Sequence, residues 1–169
     1  MAARCPQAVL CADPFHVVKW ATDALDEVRR ELWNTARNGG EVALAGELKG
    51  ARWALWKNPE DLTRRQRGKL AWIARVNRRL DRADLLKEQL RLVFKLNGVR
   101  ATVLLEAWLG WARRCRIPAL VKLAKAVSAH RSSIQAALTQ GLSNGLVEST
   151  KTKIRLLTRV AFGFRSPQA

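Results

Sequence analysis

From Val18 to Leu138 apolar residues recur three and four positions apart, and that spacing restricts the chain to packed amphipathic helices. Val18, Ala21, Leu25, Val28, Leu32 and Ala36 make the first stripe, which Gly39-Gly40 stops. A second helix is expected from Val42 to Trp56, ended by Asn58-Pro59. Thr63-Arg64-Arg65-Gln66 has the form of a capping box and starts a third, with Leu70, Ile73 and Val76 inward. The fourth carries Ala83, Leu86, Leu90 and Val93, closed by Asn97-Gly98. A fifth holds Leu104, Leu105, Trp108 and Trp111, and a sixth runs from Pro118 to Leu138. After the break at Gln140 to Gly145 a last helix is expected from about Val147 to Val160.

One segment departs from the pattern. Ala8-Val9-Leu10-Cys11-Ala12 is a short apolar run suited to a buried strand, ending at Asp13-Pro14. The outline is therefore one strand, six helices, a loop and a seventh helix. A lone strand has no partner for its backbone hydrogen bonds. Either these residues are not a strand, or the rest of the sheet lies outside the chain.

Charge is the most informative part of the composition. The 169 residues carry a net charge of +17, unevenly spread. Residues 1–62 balance to −1 and residues 63–169 to +18. Arg64 to Arg82 holds eight basic groups against Asp81 alone, and Arg113 to Arg131 holds six with no acid. A one-sided field of this kind attracts polyanions, of which nucleic acid is the commonest inside cells. No apolar run approaches the ~18 residues of a membrane span, and no signal peptide opens the chain. The expectation is a cytoplasmic, nucleoid-associated protein whose partner is DNA rather than a membrane.

Common catalytic motifs are missing. There is no phosphate-binding loop, no dinucleotide fingerprint, no paired-His zinc helix and no nucleophile elbow. Cys5, Cys11 and Cys115 lack metal-ligand spacing, and only His16 and His130 could assist them.

Two carboxylates remain of interest. Asp13, ahead of Pro14 and at the head of a helix, suits an N-cap, and equally a metal ligand at the end of a strand. His16, one turn on, is either a satisfied helix-start residue or a phosphate contact. Glu148 is the only acid after Glu106. Steps of four, three and four carry its face through Thr152, Arg155 and Arg159, beside Lys153. That arrangement serves either a helix dipole or a cation-binding carboxylate heading a phosphate-tracking stripe. Trp53 and Trp56 sit three apart beside Arg52 and Lys57, and suit either core packing or stacking on an exposed base.

The segment from Cys11 to Lys19, the segment from Ser143 to Arg165, and the Trp-rich stretch from Leu48 to Lys57 resemble the DDE transposases of the ISL-three insertion-sequence family. The resemblance covers essentially the whole chain. It implies a mainly α fold: the C-terminal part of a ribonuclease-H-like catalytic core with a large all-helical insertion and one short N-terminal strand. Residues 1–16 would end the core sheet, 17–140 form the insertion, and 141–169 hold the last catalytic helix.

By the same resemblance Asp13 is the second Asp and Glu148 the Glu of a carboxylate triad that binds Mg2+. They stand 135 positions apart, separated by the helical block. His16, Lys153, Arg155 and Arg159 are the implied DNA contacts. The first Asp of the triad belongs to an earlier strand that this sequence does not contain, and Lys151 stands where the family usually has Asn. The expectation is a truncated transposase, inactive alone, that assembles with itself or with an intact transposase. The other open reading is a non-enzymatic basic helical DNA-binding or regulatory protein that interferes with intact transposase.

Overall fold

The computed structural model describes residues 8–141 together with 153, 154, 156 and 157. The helix α1, Pro14–Asn38, is the spine. It is followed by α2 (Val42–Gly50), α3 (Arg52–Trp56), a single 3₁₀ turn (Pro59–Asp61), α4 (Arg64–Val76) and α5 (Arg78–Val93). Then come α6 (Gly98–Arg114), α7 (Pro118–Ala129) and α8 (Arg131–Thr139). One face of α1 packs against α2, α5 and α7, while α6 lies against α5, α7 and α8.

The expected stripes line this core. Val17, Ala21, Leu25 and Val28 of α1 meet Ala83, Leu86, Leu90 and Val93 of α5, and Leu120, Ala124 and Val127 of α7. Each fully buried Leu or Val side chain contributes about 1.5–3 kcal/mol by leaving water. Trp108 is enclosed completely, and its indole N–H reaches the Leu86 carbonyl at 2.8 Å, so α6 is tied to α5 by a polar as well as an apolar contact. Trp111 is only partly buried against the core. The capping box at Thr63 is present, with the Gln66 amide N–H donating to the Thr63 hydroxyl and the Gln66 side chain accepting from the Thr63 backbone.

The structure corrects the expectations in five places. Ala8 to Ala12 forms no strand, and there is none among the described residues. Val9 and Leu10 are 61% and 81% exposed, and the Ala12 amide donates to the Ser133 carbonyl at 2.9 Å instead of entering a ladder. With no neighbouring strand to share hydrogen bonds, an apolar run alone does not make a sheet. The helix expected over Val42 to Trp56 breaks into α2 and α3, because Gly46 and Gly50 lower its propensity and buried Ala51 turns the chain toward the core.

Asn97-Gly98 opens α6 rather than closing α5, which ends at Val93; Gly98, at φ +61°, makes the turn that an L-residue would resist. The helix expected from Pro118 to Leu138 is interrupted at His130, whose ring lies against Trp20 and whose carbonyl accepts from the Ser133 hydroxyl at 2.9 Å. Val76, expected inward, is the last residue of α4 and is half exposed, because the chain turns away at Asn77. Among the described residues no helix is long and apolar enough to cross a membrane.

Candidate nucleic-acid interface and carboxylate site

Asp13 is the N-cap of α1. Its Oδ1 accepts the Phe15 amide N–H at 2.9 Å and its Oδ2 lies 2.7 Å from His16 Nδ1. Both residues expected to work at this end are thus brought together, with Phe15 and the His16 ring edge-to-face at 5.8 Å. A carboxylate is the hard-oxygen donor that a divalent cation favours, so Asp13 has the chemistry of such a ligand. It is one donor where such a cation takes six or more. No group of three metal-capable side chains occurs among the described residues. Glu148, Arg155 and Arg159 lie outside the described residues. Lys153 is helical and exposed.

The acids and bases are not evenly matched. Asp26 pairs with Arg29 and Arg30, Glu31 with Arg79, Glu47 with Lys69, Glu60 with Arg91 and Lys95, and Glu106 with Arg131. Arg64, Arg65, Arg67 and Arg78 of α4 and α5, Arg100 and Arg116 around α6, and Lys122 and Lys125 of α7 form no ion pair among the described residues. Glu31, Glu47 and Glu60 of the first half are paired with bases 22 to 48 positions further on, while these eight bases stay exposed to solvent.

Trp53 and Trp56 are at the surface, 62% and 37% exposed. Their rings meet edge-to-face at 5.9 Å, and the Arg52 guanidinium lies 4.1 Å from the Trp56 ring centroid and 5.4 Å from that of Trp53. The three-residue spacing places both indoles on one side of α3, and Arg52 bridges them by cation–π attraction. Neither indole belongs to the buried core.

Behind this cluster lies a polar anchor that the sequence did not disclose. Lys87 is buried on α5 and donates to the Leu55 carbonyl of α3 at 2.7 Å. Its Nζ is also 3.0 Å from Asp84 Oδ1 and 2.7 Å from Glu88 Oε1; these are close ion pairs, off the hydrogen-bond direction. Burial pushes the Asp84 carboxyl above its ordinary value, and Lys87 only partly opposes that.

Beside α3 a groove of about 620 Å³ opens between α1, the 3₁₀ turn and the end of α5. Phe15, Trp56 and Phe94 supply aromatic walls, and Asn58, Lys19 and Lys95 polar edges. At its rim Arg91 grips both oxygens of Glu60 at 2.9 Å and Lys95 adds a third contact at 2.8 Å. Those hydrogen bonds hold the Glu60 carboxyl well below the usual carboxylate range.

A family described as transposase matches residues 1–169, the whole chain, and belongs to the DDE transposases of the ISL-three type. The chain is similar to the transposase for insertion sequence element IS1557 of two Mycobacterium tuberculosis strains, 57% identical over 185 aligned positions. It is also similar to the transposase for insertion sequence element IS1001 of Bordetella parapertussis, 29% identical over 168 positions. In each case 98% of this chain is covered, but only 42% and 41% of the relatives, so the chain spans about two-fifths of their length. No solved structure matches it.

Proposed function

Since this chain belongs to the DDE transposases of the ISL-three type, we propose that it is the DNA-holding helical block of such an enzyme, carrying part of its carboxylate set. The observation that supports this best is the field left by the ion pairs: Arg64, Arg65, Arg67, Arg78, Arg100 and Arg116 are exposed and form no ion pair among the described residues. Such groups displace condensed counterions from phosphates, which gives affinity without sequence preference. His16, Lys153, Arg155 and Arg159 are the proposed phosphate contacts on the catalytic side, and Trp53 and Trp56 the platform for a base. In this reading the block inserts into a ribonuclease-H-like core, works in the cytoplasm at the nucleoid, and assembles with itself or with an intact transposase.

Asp13 and Glu148 are the proposed holders of Mg2+, whose chemistry when bound is to activate a water or 3′-hydroxyl for phosphodiester transfer. Asp13 is presented at a fixed point because the α1 N-terminus immobilises its carboxylate through the Phe15 amide. His16 orients the other oxygen and brings a ring N–H to the place where a strand would pass.

The test is binding of the chain to a DNA duplex across a salt series, with and without Mg2+. Affinity should fall steeply with salt, the logarithmic slope being about −0.9 for each phosphate neutralised. Binding insensitive to salt would overturn the reading. Glu148→Gln separates the two functional classes. It should abolish any Mg2+-dependent change in binding if Glu148 holds the metal, and leave or improve DNA affinity without such a change if the chain is only a binder.

A further inference from the structure

Helices α5 and α6 run antiparallel, and two contacts set their register: the Trp108 indole N–H meets the Leu86 carbonyl, and the Arg82 guanidinium lies 3.5 Å from the Cys115 carbonyl. Leu85 of α5 then stands alongside Trp111 of α6, and Leu92 alongside Leu104, with Gln89 and Ala107 between them. Leu85 and Leu92 are 51% and 46% exposed, whereas Leu104 and Trp111 are half-buried. The result is a shallow apolar seam between two helices, with leucines on its α5 wall and an indole and a leucine recessed in its floor. The fold gains nothing from leaving these side chains in water.

Charge and shape decide what can cover the seam. Arg82 and Arg114 are exposed at one end and Arg100 at the other, against one half-buried acid, Asp81. Glu88 and Glu106, on the flanking faces, are already held by Arg91 and Arg131. A second copy would set the same bases against each other across an isologous contact, which repels. A duplex would satisfy the arginines but give the leucines no apolar cover. A bilayer takes protruding side chains, and here Leu104 and Trp111 are recessed. An α-helix is the convex rod that a seam between two helices receives, and the step from Leu85 to Leu92 matches two of its turns. Its ends must be acidic to meet the arginines.

We propose that the seam between α5 and α6 is a protein-docking site for an amphipathic helix of a partner, one with an apolar stripe at three- and four-residue spacing and acidic residues at both ends. The stripe covers Leu85, Leu92, Leu104 and Trp111, and the acids pair with Arg82, Arg114 and Arg100. The site uses neither Asp13 nor the Trp53–Trp56 cluster, so it stands or falls independently of the DNA-holding reading.

The experiment titrates the full chain into a fluorescein-labelled peptide of about four helical turns, with leucines along one face and glutamates at both ends. A peptide of the same composition in scrambled order is the control. The ordered peptide should bind and gain helical circular dichroism, and the scrambled one should bind at least ~10-fold more weakly. Leu85→Ser and Leu92→Ser, both at exposed positions, should each weaken the ordered peptide roughly 10-fold or more, with thermal stability and duplex DNA affinity unchanged. No binding, equal binding of the two peptides, or an affinity that both leucine variants leave unmoved would overturn the proposal. Self-association of the chain, or binding to phosphatidylglycerol vesicles, that disappears in the leucine variants would assign the seam to a second copy or a lipid surface and overturn it as well.

Discussion

Lys87 Nζ donates to the Leu55 carbonyl at 2.7 Å from a position almost wholly removed from water, so a buried charge on α5 fastens the short helix that displays Trp53 and Trp56. Five residues of helix are too few to hold their own geometry in water. The platform depends on this anchor and on the apolar contacts of Ala54 and Leu55. Lys87→Met should cost about 3 kcal/mol, because Asp84 then stays partly buried without its cation and Glu88 keeps only Arg91. Denaturant midpoints should show the loss, and adding Asp84→Asn should restore part of it.

Asp84 also makes a pH prediction with a definite sign. Its folded-state carboxyl is raised by burial, so the folded chain binds that proton more tightly than the unfolded chain does. Its cost to folding is absent below the ordinary Asp value near ~3.9 and grows as pH rises through the raised folded value. Wild type should therefore lose more stability between pH 4 and 7 than Asp84→Asn does. Glu60 acts oppositely. Held low by Arg91 and Lys95, it stabilises above its ordinary value, and that contribution disappears as pH falls. Thermal melts of Asp84→Asn between pH 4 and 7, and of Glu60→Gln carried well below pH 4, check both signs.

How much of this was legible follows from what each contact depends on. The stripes of α1 and α5 and the capping box at Thr63 were readable because they rest on residues a few positions apart. The breaks at Ala51 and His130 were not, because neighbouring elements set them: Ala51 is drawn into the core and His130 against Trp20. The strand at Ala8 to Ala12 was misread since an apolar run carries no information about whether a pairing partner is present. The N-cap role of Asp13 was readable from its place ahead of Pro14, whereas the Lys87–Leu55 bond and the groove walls Trp56 and Phe94 join positions more than thirty residues apart. The Arg52-Trp53 and Trp56-Lys57 pairs were the only local hint of the surface cluster.

Arg116 offers a stability gain with a functional cost. It follows the C-cap of α6 at φ +60°, a position glycine fills without strain. Arg116→Gly should stabilise the fold by about 1 kcal/mol. If its guanidinium contacts phosphate, the same change should make the salt slope of DNA binding shallower by ~0.9. Urea unfolding and a salt titration of the same variant measure the two effects separately.

Asp13 has two roles that substitution can divide. As an N-cap it satisfies the Phe15 amide, a contribution that Asn supplies nearly as well and Ala does not. As a cation ligand it needs its charge, which Asn lacks. Asp13→Ala should therefore lower stability by about 1 kcal/mol. Asp13→Asn should leave stability within roughly half of that while removing any Mg2+-dependent change in DNA binding. Melting curves and metal titrations of the two variants distinguish a carboxylate kept for the helix from one kept for the metal. If Asp13→Asn retains the full Mg2+ response, Asp13 is a cap and the cation sits elsewhere.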